Sequence, residues 1–220
     1  MDIVRVGICQ INSIVGDIKG NYQKIIDYIN KAKTYDCHIV VFPELALCGY
    51  PPEDLVFKKS FLNQNEEYFK NIAESVKNMI VVLGFVHFEK DIFNSAGIIC
   101  NNKIEGIYNK IFLPNYGVFD EERYFTKGKA PIIFKTKDFS FGVTICEDIW
   151  YPEGPACALA LEGAEIIINI NASPYHIRKW EEREKMLSTR AKDYISAIIY
   201  CNLVGGQDEV VFDGHSLFID

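Results

Sequence analysis

FSFGVTICEDIWYPEGPACALALEGAEIIINI, residues 139–170, holds a strand-like run (139–145), a helical stretch (155–161) and a second strand-like run (165–170) in close succession. Apolar runs of strand length alternating with helical stretches mark an α/β domain whose helices cover the outside of its strands. The pattern continues downstream through a helix at 180–195 and a strand at 198–202, followed by strand-like runs at 209–212 and 216–219.

Upstream the same theme is present. A strand-like segment at 3–11 and a turn at Gly16 precede a helix whose buried face is Tyr22, Ile25, Ile26 and Ile29, with Asn21 as its expected cap. A short buried strand at 38–42 leads to a second amphipathic helix marked by Phe61, Phe69, Ile72, Ala73 and Val76. Three strand-like segments at 80–88, 95–100 and 103–108, with Asn101-Asn102 at one turn, then read as an antiparallel meander. The sheets are therefore expected to be mixed. An aperiodic segment at 111–131, rich in aromatic and charged residues, has the length of a functional loop. The two halves share a weak similarity in strand order, though not in residue identity.

The 220 residues, 49% of them apolar and 24% charged, are enough to bury a full core in one domain, residues 1–220. A formal charge of −7 gives no basic footprint for nucleic acid. The opening MDIVRVGICQINS has neither a basic leader nor a cleavage site, and no apolar run reaches the roughly 20 residues of a membrane helix. Seven cysteines, an odd number and several within apolar runs, suit a reducing cytoplasm. Neither they nor the four scattered histidines show the paired spacing of a metal site. The chain stops just after a strand-like run, so it is expected to lack its C-terminal portion.

Three ionisable residues follow directly on buried strands: Glu44 after VVFPE, Lys110 after GIYNK and Cys146 after FGVTIC. Strand ends in α/β folds hold side chains rigidly. A cysteine nucleophile needs a base for its proton, an acid for the leaving amine and a cation for the oxyanion, and these residue types can supply all three. Taken singly, each has a blander reading: a buried thiol is usually a core filler, and a lone glutamate or lysine a surface charge.

The strings FPELALCGYPPEDL (42–55), NKIFLPNYGVFDEERYF (109–125) and ICEDIWYPEGP (145–155) resemble the three signature regions of the nitrilase, or carbon-nitrogen hydrolase, superfamily, in the family's order of Glu, Lys and Cys. The variants GYPPEDL, LPNYGVFDE and CEDIW, with NASPYHIRKWEERE (171–184) and NLVGGQDEVVFDGHS (202–216), resemble the glutamine-hydrolysing amidase domains of glutamine-dependent NAD synthetases. The likeness spans essentially the whole chain. It implies an αββα sandwich with Cys146 as nucleophile, Glu44 as general base and acid, and Lys110 as stabiliser of the tetrahedral intermediate. It further implies that Tyr116, Ser173 and Lys179 hold glutamine while Glu147 and Tyr50 line the pocket. Arg178 departs from the pattern, standing where a glycine is usual.

By the same resemblance the domain needs no metal or organic cofactor, and ATP and deamido-NAD belong to an ATP-dependent synthetase domain absent from these residues, which would receive the ammonia. Homo-oligomeric assembly is also implied. The nearby Lys110 ammonium is expected to favour the Cys146 thiolate while a carboxylate accepts its proton, so that Cys146 can react near neutrality. Cys48 is read as a space-filler, His176 as a loop residue and Gly205-Gly206 as a turn rather than a phosphate loop. The aromatics Tyr116, Phe119, Tyr124 and Phe125 either stack a ligand or anchor their loop. Two other functions fit the sequence: a free-standing amidase or nitrilase for another small ω-amide, and a catalytically silent interaction domain.

Overall fold

A computed structural model describes residues 3–220; Met1 and Asp2, which open the stretch read above as lacking a leader, lie outside the described residues. Among the described residues the elements run β1 (Val6–Ile8), α1 (Ile18–Thr34), β2 (Ile39–Val41), α2 (Lys59–Ser75), β3 (Ile80–Phe88), β4 (Ile92–Cys100), β5 (Lys103–Asn109), α3 (Glu121–Tyr124), β6 (Ile133–Lys135), β7 (Ser140–Ile145), α4 (Pro155–Leu161), β8 (Ile166–Asn171), α5 (Lys179–Tyr194), β9 (Ala197–Asn202), β10 (Val204–Gln207), β11 (Val210–Asp213) and β12 (Leu217–Ile219). The first five strands form one sheet in order β1-β2-β3-β4-β5, and a second has the order β12-β9-β8-β7-β6. Strands β1, β2 and β3 are parallel, as are β7, β8 and β9, while the antiparallel β4 and β5, and the antiparallel edge strands β6 and β12, make both sheets mixed.

Side-chain alternation explains the layering. In β2, Ile39 and Val41 face a core shared with Val143, Ile145, Ile168 and Ile199 of the second sheet, whereas Val40 joins Ile25, Ile29 and Ile72 of α1 and α2. On the far side Ile167 and Ile198 pack against Leu159 of α4 and Leu187 of α5. Three apolar layers thus separate helix, sheet, sheet and helix, the expected αββα sandwich. No helix among the described residues is long and apolar enough to cross a membrane.

Several local expectations are corrected. Asn21 does not cap α1: the helix starts earlier, with Asp17 accepting from the Gly20 N–H at 3.0 Å. Asn21 is buried in the first turns and ties the chain before the helix to the Glu44 loop, donating to the carbonyls of Ile14 (2.7 Å) and Leu47 (3.2 Å). Gly205 and Gly206 are not a turn but part of β10, paired with Phe212 and Val211; the reversal falls at Asp208, whose φ is 49°. Strand β6, only three residues long, carried too little pattern to be read from sequence.

One close approach fixes the Glu44 loop. A Cβ at Gly84 of β3 would stand 2.3 Å from the Pro43 carbonyl oxygen and 2.4 Å from the Leu45 nitrogen, both backbone atoms flanking Glu44. Gly84→Ala must therefore push this loop off the sheet, and we expect it to lower unfolding free energy by about 1–3 kcal/mol, measured by urea denaturation.

Candidate active site

Glu44 follows β2, Lys110 follows β5, and Cys146 follows β7 at the first position of a 3-10 turn, Cys146–Ile149. The Cys146 backbone has φ of 45°, a left-handed conformation that side chains other than glycine rarely adopt and that costs on the order of 1–3 kcal/mol. The side chains of Glu44 and Lys110 are 1% exposed, and the Lys110 ammonium lies 2.7 Å from Glu44 Oε1. A second carboxylate, Glu121 Oε1, accepts from the same ammonium at 2.8 Å. Glu44 is held on both oxygens, with Asn94 Nδ2 donating to Oε1 (2.7 Å) and the Ala172 N–H, from the second sheet, donating to Oε2 (2.8 Å).

These contacts leave useful groups unspent. An ammonium has three donors, and two are committed to carboxylates; an ionised carboxylate offers about four acceptor positions, and Glu44 uses three. One N–H of Lys110 and one lone pair of Glu44 remain for a reacting group.

Electrostatics set the resting state of the nucleophile. Burial pushes the Cys146 thiol well above its ordinary value, Glu44 pushes it further, and Lys110 offsets only part of this. Cys146 is therefore a thiol at rest. Burial alone would lower the Lys110 pKa, but Glu121 and Glu44 together hold it well above the lysine range, so the ammonium stays charged. Glu121 is raised from 4.5 to about 7, chiefly by burial, with Lys110 opposing the rise.

Beside Cys146 opens a cavity of about 590 Å³ whose walls include Glu147, Tyr116, Ser173, His176 and Lys179. Glu44 and Lys110 are not among its lining residues; both are buried behind it, where their charges bear on the Cys146 thiol. The Tyr116 hydroxyl donates to both Glu147 carboxylate oxygens at 3.0 Å. The Lys179 ammonium lies 4.1 Å from the Trp150 ring centroid and 2.8 Å from Glu182. Ser173 is held by Arg183, itself fully buried, whose Nε donates to the serine Oγ at 3.2 Å and whose Nη2 donates to its carbonyl at 3.1 Å. The cavity thus presents two carboxylates, Glu147 and Glu182, and the Lys179 ammonium paired with the second of them, groups of both signs for a small polar ligand.

Tyr50 is not in the cavity wall. Its ring is buried against Phe212, and its hydroxyl, which needs a partner once buried, donates to Glu121 Oε1 at 2.8 Å. His176, read as a loop residue, does line the cavity. The aromatics divide: Tyr116 and Phe119 line the cavity, whereas Phe125 is buried in the core and Tyr124 packs on Phe57. Cys48 is fully buried away from the cavity.

The residue that sequence reading missed is Glu121, 11 positions beyond Lys110. It is one acid in the run Asp120-Glu121-Glu122, and only the folding of α3 buries it while its neighbour Glu122 stays exposed. No spacing rule singles it out. Asn94 was equally hidden, an isolated asparagine inside a strand.

A carbon-nitrogen hydrolase family profile matches residues 5–220. The glutamine-dependent NAD(+) synthetase of Thermotoga maritima is 46% identical across 100% of this chain, which covers 39% of that protein. The chain therefore spans about two fifths of the length of the curated relatives it matches. Among solved structures, glutamine-dependent NAD+ synthetase from Acinetobacter baumannii in complex with ADP superposes with a TM-score of 0.93 at 39% identity, covering 97% of this chain and 40% of the other. An amidase from Nesterenkonia sp. shares the fold at a TM-score of 0.87, with 21% identity and coverage of 98% and 82%.

Two outcomes follow from the site. Between pH 4.5 and about 7 the folded chain retains a proton on Glu121 that the unfolded chain has released, so the stability contributed by this group falls as pH rises through that window. Relative to wild type, Glu121→Gln is expected to gain stability on the order of 1–3 kcal/mol between pH 5 and pH 8, read by urea unfolding at both pH values. Arg178 sits at φ 62°, a left-handed backbone conformation that glycine adopts without strain. Relief of about 1–2 kcal/mol of strain, less about 0.5–1 kcal/mol of glycine entropy, should let Arg178→Gly raise Tm by about 1–4 °C in calorimetry.

Proposed function

This chain belongs to the carbon-nitrogen hydrolase family, and we propose that it hydrolyses the side-chain amide of glutamine through a thioester on Cys146, supplying ammonia to an ATP-dependent synthetase domain that amidates deamido-NAD. The observation that carries this reading is the buried Glu44–Lys110–Glu121 cluster acting on Cys146, beside a cavity that presents Glu147 and Lys179. The names of the relatives supply the substrate and the larger reaction.

The chemistry follows from the unspent groups. As Cys146 Sγ attacks the amide carbon, its proton passes to the free lone pair of Glu44, and the oxyanion is met by the third N–H of Lys110 and by a backbone N–H beside Cys146. Collapse breaks the C–N bond while Glu44 returns the proton to the leaving nitrogen, releasing ammonia and leaving a glutamyl thioester. Water then adds with Glu44 accepting its proton; collapse frees glutamate, and the thiolate takes the proton back. Tyr116, Ser173, Lys179 and Glu147 hold the amino-acid end, and Tyr50 supports Glu121 from behind. No metal or organic cofactor enters these steps, and ATP and deamido-NAD would bind the synthetase portion. Homo-oligomeric assembly belongs to the same reading, and a cytoplasmic location is supported by seven unpaired cysteines.

A glutamine-analogue diazoketone should label Cys146 alone, as located by peptide mass spectrometry, and Cys146→Ala should lose both labelling and ammonia release. Glu44→Gln should lower kcat by about 10²–10⁴-fold. Hydrolysis of other small ω-amides in preference to glutamine would make the chain a general amidase instead, and absence of any labelling would make it a silent domain.

A further inference from the structure

Asp148 is the third residue of the nucleophile turn, has no exposed surface and does not line the cavity. Its carboxylate accepts four hydrogen bonds. Oδ2 takes the Ile145 N–H (3.0 Å) and the Tyr108 hydroxyl (2.7 Å), and Oδ1 takes the N–H groups of Ile111 (3.2 Å) and Phe112 (2.8 Å). Ile145 immediately precedes Cys146, Ile111 immediately follows Lys110, and Tyr108 lies two residues before it.

These donors come from different sheets. Lys110 leaves β5 of the first sheet and Cys146 leaves β7 of the second, and β5 is not hydrogen-bonded to β7 in either. Apolar contact between sheets is not directional and tolerates small slips. A carboxylate filled by donors from both chain segments removes that freedom, and it braces the turn in which Cys146 holds its left-handed φ.

We propose that Asp148 is a positioning residue that sets the placement of the Cys146 sulfur relative to the Lys110 ammonium, working through its four hydrogen bonds without touching substrate. The inference rests on the reading of Cys146 as nucleophile. The titratable groups acting on Asp148 are Tyr108, whose hydroxyl bond lowers its pKa, and Lys110, which also lowers it; burial outweighs both and leaves it at about 6.

Asp148→Asn is nearly isosteric, but its NH₂ group must face an N–H donor, so one backbone tie is lost while the others can persist. With the fold verified by circular dichroism, we expect kcat for amide hydrolysis to fall about 100-fold with KM within about 3-fold, as for loss of one preorganised contact. Alkylation of Cys146 by chloroacetamide, an uncharged probe independent of the substrate assignment, should slow at least about 10-fold. An unchanged kcat or an equal or faster alkylation rate, whatever the change in Tm, overturns the proposal. If Asp148→Asn does not fold, Tyr108→Phe decides: it removes the 2.7 Å hydrogen bond that ties the end of β5 to Asp148 and should slow alkylation of Cys146 at least about 3-fold, and an equal or faster rate overturns the proposal. A wild-type chain that alkylates at Cys146 but ignores glutamine would sink the substrate reading and leave the alkylation comparison to judge Asp148.

Discussion

The ammonium of Lys110, enclosed between the carboxylates of Glu44 and Glu121, sets the terms for everything around it. Moving such ions out of water costs several kcal/mol apiece after relaxation, so the cluster exists only because each charge finds partners at hydrogen-bond distance. Those partners lie far apart in sequence. Glu44 accepts from Asn94 50 residues away, from Lys110 66 residues away and from Ala172 128 residues away. The first sheet and the segment after it supply Glu44, Asn94, Lys110 and Glu121, and the second sheet closes the cluster through the Ala172 N–H on Glu44 Oε2. A slip of one sheet on the other would cost Glu44 that backbone donor while leaving its pairing with Lys110.

Topology explains why this registry is attainable. Both sheets carry three parallel strands, so β2 and β7 each release their next residues at the same kind of sheet edge. The antiparallel return of β5 delivers Lys110 there too. The long segment after β5 then supplies Glu121 from α3 and Tyr116 and Phe119 at the cavity. Gly84 permits the Glu44 loop to lie directly on β3, and Asn21 pins its far end to the first helix. Polar bonds near the site thus occur where apolar packing, which is indifferent to small slips, cannot specify position.

The sequence discloses elements and chemistry unequally. The bounds of β3 and α4 are readable to the residue, because a long apolar run and a short helix between punctuating glycines have few alternatives. Glu44, Lys110 and Cys146 stand out because each ends such a run. Glu121, Asn94, Asp148 and Arg183 do not, since their roles come from being buried beside particular partners, and burial of a polar residue leaves no periodic trace. Tyr50 shows the reverse error: the family resemblance placed it at the pocket, whereas folding turned its hydroxyl towards Glu121. Glycines mislead for a similar reason. Gly205 and Gly206 resemble a turn, but in β10 one of them, with φ of 125°, lies so close to the Asn12 side chain that a Cβ there would have to push it aside.

The resting protonation of this cluster bears directly on how a buried thiol can be a nucleophile. With the Cys146 thiol held well above its ordinary value, the Lys110 ammonium held charged and Glu121 raised to about 7, the site resists any further negative charge. A preformed thiolate would add a negative charge to a space already holding two carboxylates, which is why burial and Glu44 both resist it. On the proposed mechanism no charge need be created at any step. The proton lost by sulfur is gained by Glu44, and the negative charge moves from that carboxylate to an oxyanion facing the one uncommitted N–H of Lys110. In a low-dielectric interior, shifting a charge a short distance towards a fixed ammonium is far easier than generating one. Reactivity then depends on a carbonyl being present to receive the charge, and this ties attack by Cys146 to occupancy of the cavity.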